Sequence, residues 1–478
     1  MGGQRADHAD MTGISMMALT DEYEGGENSM NEGEKLVIIG GGGGGFATAM
    51  RAKALMPKIE VTLVRKEKRF IVRCSLPYVV SGLVTGESIV NPDQKFIDAG
   101  INVIVDEVTR VDPKRKKVRL SDGRELPYDK LVMATGGSPV VPPIEGRDLD
   151  GVFTFRSLSD AEKMAVFITE KKVKKMVFIG AGFITMELAA AIMTASPGQY
   201  DITIVEMLEH PLPLMLDTEF GAKLQEYLTE KGLKMKMGRK VTKILGRDGA
   251  VSGVELESGE KLDADMMVLN VGVKANLELA KQIGLDIGAY GVKTNEYMET
   301  SEPDIFALGD CVEKKHFITG KPVPGVLRGP AIIAGRHVAK KLAGYDVPFP
   351  GVLDNAVAKL LDKCIGFTGL TEKRAREEGY DPVCATVESR SKHAMMPGVK
   401  PWTIKLVFDR KSKKLLGGQI LSDSEAPVKE IDTVNALILG GKTVYDLCSI
   451  MCAGQPELSS EPSAEPISIA AEQALVKM

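Results

Sequence analysis

The chain has 478 residues, of which 44% are hydrophobic and 26% are charged, and its formal net charge is -4. This composition is typical of a globular protein of two or three domains, and the charge gives no sign of the basic surface that nucleic-acid binding requires. No apolar run is long enough to cross a membrane, so the sequence predicts neither a nucleic-acid partner nor a membrane partner.

The cysteine pattern bears on metal binding and on the cellular compartment. Six cysteines occur without a CxxC pair or any paired spacing, which argues against a zinc site and against a disulfide framework. The sequence therefore predicts a cytoplasmic protein with no bound metal. Residues 1–33 are polar and aperiodic and lack the features of a secretion signal, so we predict a disordered extension there, with Met30 as a candidate start.

The first predicted element is a strand followed by a glycine-rich turn and a helix. Leu36 to Ile39 form an apolar run that suits a buried parallel strand. Gly40, Gly42 and Gly45 then match the pattern G-x-G-x-x-G. Glycines at these positions allow a tight turn, close approach of the backbone to a pyrophosphate and close packing of the helix on the strand. A run of glycines would also suit a flexible loop, but the flanking strand and helix favour a dinucleotide site.

A second strand is predicted at Ile59 to Val64, and its end departs from the usual dinucleotide site. An acidic residue commonly closes this strand and holds a ribose hydroxyl, whereas this sequence has Arg65 and then Lys66. Basic residues are frequent from Arg65 to Arg73, which indicates either a solvated loop or a surface for an anionic, phosphate-bearing ligand. The departure weakens the prediction of a standard adenosine contact but leaves the phosphate site in place.

Cys74 follows this basic segment and begins the sequence Cys-Ser-Leu-Pro-Tyr. A cysteine reacts as its thiolate, which neighbouring cations and helix N-termini favour. Arg73 supplies a neighbouring cation, and a helix beginning near Pro77 would supply the second influence. The alternative interpretation is a small buried hydrophobic residue without a chemical role.

The strand, glycine-rich turn and helix then recur as an internal repeat. Lys175 to Ile179 are followed by Gly180 and Gly182, with threonine in place of the third glycine, and a later strand from Ile202 to Val205 ends in Glu206. An acidic residue at this position binds the ribose 2′-hydroxyl and repels a 2′-phosphate, which favours NAD over NADP. Two dinucleotide sites in one chain suggest electron transfer between two cofactors; a duplicated unit without function is the alternative.

Two further strand ends are candidates for ligand contact. Ala134, Thr135 and Gly136 follow a short apolar strand and suit a place where the backbone comes near a ligand. Asp310 follows a glycine at the end of another apolar run, where its carboxylate can accept hydrogen bonds from a sugar hydroxyl. Each segment read alone is equally compatible with an ordinary strand and turn.

In this order, these motifs resemble those of the FAD-dependent pyridine nucleotide-disulfide oxidoreductases. The motifs are G-x-G-x-x-G, Cys-Ser-Leu-Pro-Tyr, Ala-Thr-Gly, the second glycine loop with Glu206, and Phe-Ala-x-Gly-Asp. The resemblance is to the single-cysteine branch, which includes coenzyme A persulfide or polysulfide reductases, coenzyme A disulfide reductases, and NADH oxidases and peroxidases. It covers Lys35 to about Val476, which is nearly all of the chain outside the N-terminal extension.

The resemblance implies an α/β fold with two Rossmann-like dinucleotide-binding domains and a C-terminal α+β dimerisation domain, and therefore a homodimer. We expect a discontinuous FAD-binding domain at residues 34–150 and 272–348. The NAD(H)-binding domain is expected at residues 151–271 and the dimerisation domain at residues 349–478. The last domain is expected to contain strands near Lys363 to Gly369, Trp402 to Phe408 and Leu415 to Ser422, and a helix from Val428 to Leu439.

The resemblance also implies roles for individual residues. The residues implied to hold FAD are Gly40, Gly42, Gly45, Ala134, Thr135, Gly136 and Asp310. The residues implied to hold NADH are Gly180, Gly182 and Glu206, with Glu187 near the nicotinamide and the flavin. Cys74 has no cysteine close to it in sequence and would act alone. Two-cysteine relatives place a catalytic histidine where this chain has Gln455, which cannot act as a general base at neutral pH, so the proton source is unassigned.

We therefore predict an NADH-dependent flavoenzyme that reduces small persulfide, polysulfide or coenzyme A disulfide substrates through Cys74. If coenzyme A is the carrier, its phosphates would be bound by Arg51, Lys53, Arg69 and Arg73. One alternative is an NADH oxidase or peroxidase in which Cys74 cycles through a sulfenic acid. Another is a non-catalytic, redox-sensing flavoprotein.

Overall fold

The computed structural model describes residues 29–478. The predicted extension at residues 1–33 therefore lies almost entirely outside the described residues. Met30 is buried, and its backbone N–H donates to the carbonyl of Leu342 at 2.9 Å. The described part of the chain thus begins against the last turn of a long helix.

The strands of residues 29–478 are, in chain order, β1 (Lys35–Ile39), β2 (Glu60–Arg65), β3 (Phe70–Ile71), β4 (Val90–Asn91), β5 (Ile101–Val105), β6 (Val108–Asp112), β7 (Lys117–Leu120), β8 (Glu125–Pro127), β9 (Lys130–Met133), β10 (Gly137–Pro139), β11 (Val152–Thr154), β12 (Lys175–Ile179), β13 (Asp201–Val205), β14 (Lys234–Lys236), β15 (Val241–Arg247), β16 (Ala250–Leu256), β17 (Lys261–Asp263), β18 (Met266–Leu269), β19 (Val273–Ala275), β20 (Ile305–Ala307), β21 (Glu313–Lys315), β22 (Pro322–Pro324), β23 (Ala356–Leu360), β24 (Lys363–Gly369), β25 (Pro382–Arg390), β26 (Pro401–Asp409) and β27 (Leu415–Ser422).

The α-helices of the same residues are α1 (Gly43–Leu55), α2 (Leu76–Val80), α3 (Gln94–Asp98), α4 (Leu158–Glu170), α5 (Phe183–Ala195), α6 (Thr218–Glu230), α7 (Glu278–Gln282), α8 (Arg328–Leu342), α9 (Glu372–Glu377), α10 (Glu425–Val428), α11 (Glu430–Leu439), α12 (Val444–Leu447) and α13 (Pro466–Val476).

The first sheet is parallel and has the strand order β20-β9-β1-β2-β5. Its central strand, β1, is apolar and buried because both faces of a parallel sheet are covered. Ile39 at the end of β1 lies opposite Val64 and Met133, so the carboxyl ends of three neighbouring strands meet at one edge. Ligands of open α/β sheets bind at this edge.

Helices α1 and α8 pack closely on one another above this edge. A Cβ on Gly335 would lie 2.5 Å from the carbonyl oxygen of Gly44, and a Cβ on Gly44 would lie 2.3 Å from the side chain of Leu308. Only glycine has no Cβ to clash at these positions. The glycine run therefore allows close packing of the helices in addition to shaping the loop before α1. This contact brings the N-terminus of α8 next to that of α1.

The second sheet repeats the first, with five parallel strands in the order β11-β18-β12-β13-β14. Ile179 at the end of β12 lies opposite Val205 and Leu269. Helix α5 follows β12 as α1 follows β1, and each helix has 13 residues. The internal repeat predicted from the sequence is therefore present as two parallel-sheet modules.

The C-terminal region forms an antiparallel sheet with the order β23-β24-β27-β26-β25. Lys405 on β26 joins this sheet to the second module, because its buried ammonium forms ion pairs with Asp217 and Glu372 at 2.9 Å and with Glu219. The predicted fold class, with two Rossmann-like modules and a C-terminal α+β domain, is confirmed, and the predicted strands agree with the observed ones to within one residue at each end.

Candidate functional site

The first glycine loop is shaped to leave its backbone uncovered. Gly40 has φ +114°, and a Cβ there would lie 2.1 Å from the carbonyl oxygen of Ala134. A Cβ on Gly45 would lie 1.9 Å from the carbonyl oxygen of Gly40. A Cβ on Gly42 would meet no atom within 4 Å, so the space in front of the α1 N-terminus is open. Free N–H groups at a helix N-terminus attract anions, and this geometry fits a pyrophosphate.

The Ala-Thr-Gly segment and Asp310 lie on the same side of the first sheet. The N–H of Ala134 donates to the carbonyl of Ile39 at 2.8 Å, which places this segment beside the glycine loop. The hydroxyl of Thr135 donates to the carbonyl of Asn276, and the side-chain amide of Asn276 donates back to the carbonyl of Thr135. Asp310 lies in a short 3₁₀ turn after β20, mostly buried, in an ion pair with Arg156. These groups border the open space in front of α1.

The second glycine loop has the same construction with one difference. Gly180 has φ +96°, and a Cβ there would lie 2.5 Å from the carbonyl oxygen of Asn270, while a Cβ on Gly182 would meet nothing within 4 Å. Thr185 occupies the third glycine position with its hydroxyl buried and unpaired. The α5 N-terminus is thus open to an anion, as the α1 N-terminus is.

Glu206 lies at the end of β13, immediately beside the second loop. Its carboxylate accepts hydrogen bonds from the N–H of Ala181 at 2.7 Å and from the N–H of Leu208 at 2.9 Å. The side chain is therefore fixed at the strand end where acidic residues of dinucleotide sites bind ribose.

Cys74 lies in the 3₁₀ turn Arg73–Ser75, directly before α2, and its side chain is exposed. Helix α2 packs against α4 and α5, which brings the thiol to the second module. Desolvation by the surrounding protein raises the pKa of Cys74, while the charge of Arg328 lowers it and the charge of Glu187 raises it. The two charges that act on the thiol thus come from separate helices, Arg328 from α8 and Glu187 from α5.

Glu187 on α5 is a carboxyl group without a cation beside it. Within residues 29–478 it has no ion pair and no hydrogen bond, and desolvation raises its pKa to about 7. The pKa of Tyr78 is also raised, first by desolvation and then by the charges of Glu187 and Cys74. Glu187 can therefore hold a proton near neutral pH in the region between Cys74, Glu187 and Arg328, here called the cleft.

The cation that acts on the thiol differs from the one expected. Arg73 is turned to Glu67, with both carboxylate oxygens within 2.9 Å of its Nη2, so its charge is already paired. Arg328, at the start of α8, is exposed and has no ion pair or hydrogen bond in the described part of the chain. Its Cγ would lie 3.3 Å from a Cβ on Gly43, so the side chain extends over the first turn of α1. Sequence reasoning missed Arg328 because nothing near it in the chain indicates a site.

Three of the four predicted substrate-binding cations already have a partner within the protein. Lys53 donates to the carbonyl of Ile59 at 2.8 Å, and Arg69 pairs with Glu162 at 2.8 Å. Arg73 is paired as described above, whereas Arg51 has no partner within residues 29–478. Their predicted role in binding a phosphate-bearing substrate stays a prediction.

Comparison with known proteins identifies the family. The model of the pyridine nucleotide-disulphide oxidoreductases matches residues 34–328, and the model of their dimerisation domain matches residues 357–465. The chain belongs to this family. Its members combine FAD with NAD(P)H, so the protein is an FAD-dependent NAD(P)H oxidoreductase, as predicted. The open glycine loops of the two modules fit two dinucleotides.

Three relatives of this oxidoreductase illustrate the range of its family. An NADH oxidase of Methanocaldococcus jannaschii is 34% identical over 453 residues, which are 93% of this chain and 99% of that protein. A CoA-dependent NAD(P)H sulfur oxidoreductase of Pyrococcus furiosus is 36% identical, over 87% of this chain and 94% of that protein. The structure of an NAD-dependent persulfide reductase from A. fulgidus has a TM-score of 0.87 and 32% identity, covering 93% of this chain and 83% of that chain.

Within residues 29–478, no helix of this oxidoreductase combines the length and the apolar character that crossing a bilayer requires.

Proposed function

We propose that this protein uses NADH to reduce a small persulfide or polysulfide, free or carried by coenzyme A, through Cys74. The observation that carries the proposal is an exposed Cys74 thiol whose pKa responds to two charges: that of Arg328, which has no partner within residues 29–478, and that of Glu187, whose own pKa is about 7. A thiol, a cation for an anionic sulfur group and a proton carrier are the groups that reductive cleavage of a sulfur–sulfur bond requires. The names of the relatives from P. furiosus and A. fulgidus support this choice.

The placement of the cofactors is part of the proposal. FAD would lie on the first module, held by Gly40, Gly42, Gly45, Ala134, Thr135, Gly136 and Asp310. NADH would lie on the second module, held by Gly180, Gly182 and Glu206, with Glu187 near its nicotinamide. FAD, when bound, supplies transfer of two electrons from NADH to sulfur. Glu206 favours NADH over NADPH because a carboxylate repels a 2′-phosphate.

Each proposed domain contains one of the three five-stranded sheets of residues 29–478. Residues 34–150 and 272–348 would form the FAD-binding domain, since β20 returns to the first sheet beside β9. Residues 151–271 would form the NAD(H)-binding domain and 349–478 the dimerisation domain of a homodimer. A cytoplasmic location is also part of the proposal, because a reducing compartment keeps the exposed Cys74 thiol free.

The thiol chemistry consumes one proton beyond the hydride of NADH. The Cys74 thiolate attacks the outer sulfur of R–S–SH, forming a Cys74 persulfide and breaking the substrate bond, and the carrier leaves as R–S⁻. Two electrons that originate from NADH then break the Cys74 persulfide, releasing sulfide and restoring the thiolate. The sum is NADH + H⁺ + R–S–SH giving NAD⁺ + R–SH + H₂S. Arg328 would hold the thiolate and the anionic sulfur group, and Glu187 would supply the added proton.

An NADH oxidase is the second candidate function. The Cys74 side chain is exposed, so peroxide can reach it and oxidise it to a sulfenic acid, and the relative from M. jannaschii is named an NADH oxidase. Both functions need the same cofactors and the same thiol, so the acceptor distinguishes them.

The acceptor is identified by comparing NADH consumption with different oxidants. Under anaerobic conditions we expect the FAD-loaded enzyme to turn over with coenzyme A persulfide or polysulfide at least about tenfold faster than with oxygen alone in air. Sulfide release is measured in parallel, because it must match the NADH consumed. Turnover with oxygen at the higher rate, without sulfur reduction, would replace the proposed function by the oxidase.

The charges beside Cys74 are tested by the pH dependence of its alkylation. Replacing Arg328 by glutamine removes the cation that lowers the thiol pKa, so this pKa should rise. Replacing Glu187 by glutamine removes the carboxylate that raises the pKa, so the shift should have the opposite sign. Iodoacetamide labelling of Cys74 in the reduced enzyme, followed by mass spectrometry of its peptide, measures both shifts.

A matched control for this alkylation experiment is Arg336→Gln, which removes an exposed cation two turns further along α8. This control should leave the alkylation of Cys74 unchanged, and exposed Cys452 serves as an internal reference in every sample. Shifts of the same sign in Arg328→Gln and Glu187→Gln would contradict the arrangement described above.

A further inference from the structure

Arg65 is a buried cation at the end of β2 that is only partly paired. Its side chain is 3% exposed, and its Nη2 donates to the carboxylate of Asp93 at 2.5 Å and to the carbonyl of Lys68 at 3.1 Å. Its Nε and Nη1 are buried and have no hydrogen-bond partner among residues 29–478. Arginine carries five N–H donors, so three of them are left without an acceptor.

Unpaired donors on a buried guanidinium are uncommon in folded proteins. Buried polar groups are almost always hydrogen-bonded, and an unpaired donor on a charged group is especially unfavourable. Asp93 and Lys68 fix the orientation of the guanidinium through Nη2, so the other nitrogens keep a defined position. A ligand that brings acceptor oxygens to this position would complete the pairing.

The position of Arg65 indicates which ligand group would be near it. A Cβ on Gly41 would lie 3.0 Å from both Cβ and Cδ of Arg65, so the side chain extends along the glycine loop of the first module. Arg65 follows Val64, which lies opposite the end of β1, and Glu206 follows Val205, which lies opposite the end of β12, so the two residues hold corresponding positions. The carboxyl end of the second strand, β2 or β13, is the place where dinucleotide folds bind the adenosine ribose.

We propose that Arg65 binds the adenosine half of FAD by donating from Nε and Nη1 to its ribose oxygens. A ribose hydroxyl can accept as well as donate, so a guanidinium can replace the acidic residue that more often occupies this position. The inference rests on the proposed placement of FAD in the first module. It assigns a function to the residue at which the sequence departs from the usual dinucleotide pattern.

The test compares flavin affinities of the apoprotein, prepared from the full chain by removal of its flavin. Quenching of flavin fluorescence gives the Kd values for FAD and for FMN, which lacks the adenosine half. In Arg65→Gln we expect binding of FAD to weaken about 10-fold to 100-fold and binding of FMN to change less than about twofold. Arg65→Lys should lose most of the FAD affinity as well, because one ammonium cannot reproduce the donors of Nε and Nη1.

Two control variants show whether the effect is specific to Arg65 and to FAD. Lys66→Gln removes the neighbouring cation, which is exposed and pairs with Glu107, and should keep the wild-type affinity for FAD. Glu206→Gln changes the corresponding position of the second module and should weaken NADH while leaving FAD unaffected. Thermal unfolding of each apoprotein shows whether a variant has lost its fold.

The possible outcomes are distinct. Equal weakening of FAD and FMN in Arg65→Gln, or no weakening of either, would overturn the role of Arg65 at the adenosine half. If Glu206→Gln weakens FAD and Arg65→Gln weakens NADH instead, the proposed placement of the two cofactors is wrong, and the proposed function has to be revised with it. Weakening of FAD alone by Arg65→Gln supports the inference.

Discussion

Replacing Cys74 by serine is expected to lower the rate of sulfide release from a persulfide by about 10³-fold or more. The serine hydroxyl is not ionised near neutral pH and cannot form the sulfur–sulfur bond that accepts the outer sulfur of the substrate. The FAD content and the Kd for NADH should stay at the wild-type values, because both glycine loops lie on other segments of the chain. Anaerobic stopped-flow measurement of NADH consumption, together with sulfide release, checks both parts.

Cys452→Ser is the matched control for this variant, since it removes another exposed thiol. It should keep the wild-type rate of sulfide release. If Cys74→Ser retains full sulfur reduction, the thiol chemistry proposed above is wrong. If it keeps sulfur reduction but reduces oxygen to peroxide instead of water, the oxidase function is supported instead.

Replacing Glu187 by glutamine is expected to slow sulfide release by about 10²-fold at pH 7. The pKa of Glu187 is raised to about 7 by desolvation, so about half of the molecules carry the proton at that pH, whereas glutamine has no ionisable proton to give. The same variant lowers the pKa of Cys74, so turnover falls although the nucleophile is more ionised. If turnover falls while the Cys74 pKa also falls, the loss of rate is due to the missing proton and not to a less reactive thiol.

Whether the substitution changes kcat or KM decides between the roles open to Glu187. A fall in kcat with unchanged KM for NADH supports proton supply in the cleft. A rise in KM for NADH with unchanged kcat would show that Glu187 only positions the nicotinamide. Glu187→Asp, which keeps the acid, should recover part of the rate if the proton is what matters.

The parts of the fold that the sequence predicted are those whose causes are local. The apolar run of β1, the glycines after it and the repeat at β12 each depend on residues adjacent in the chain, so their pattern predicts them. The positive φ at Gly40 and at Gly180 follows from the turn between strand and helix. The motifs resembled one family strongly enough to predict the C-terminal domain, which has no glycine loop of its own.

The parts of the site that the sequence did not predict depend on contacts between distant segments. Arg328 reaches the cleft because α8 packs on α1 through paired glycines, and no local pattern records that contact. Arg73 is adjacent to Cys74 in sequence, but its guanidinium forms an ion pair with Glu67 instead. The thiol pKa is raised because the surrounding protein displaces water, and desolvation is a property of the assembled cleft rather than of neighbouring residues.

The pairing of β10 with β19 has a consequence for how the cleft could open. Both segments that run between the first two modules lie in this one antiparallel ribbon, with Gly137 opposite Ala275 and Pro139 opposite Val273. The buried ion pairs of Lys405 fasten the second module to the C-terminal sheet, and breaking such a cluster is costly. Rotation of the second module alone is therefore resisted at one end, and the ribbon is the natural hinge at the other. The C-terminal domain also contacts the first module, through the Tyr380 hydroxyl on the carbonyl of Ile318 and through the ion pair of Lys321 with Glu378. A swing of the second module about the ribbon would therefore have to break the Lys405 ion pairs.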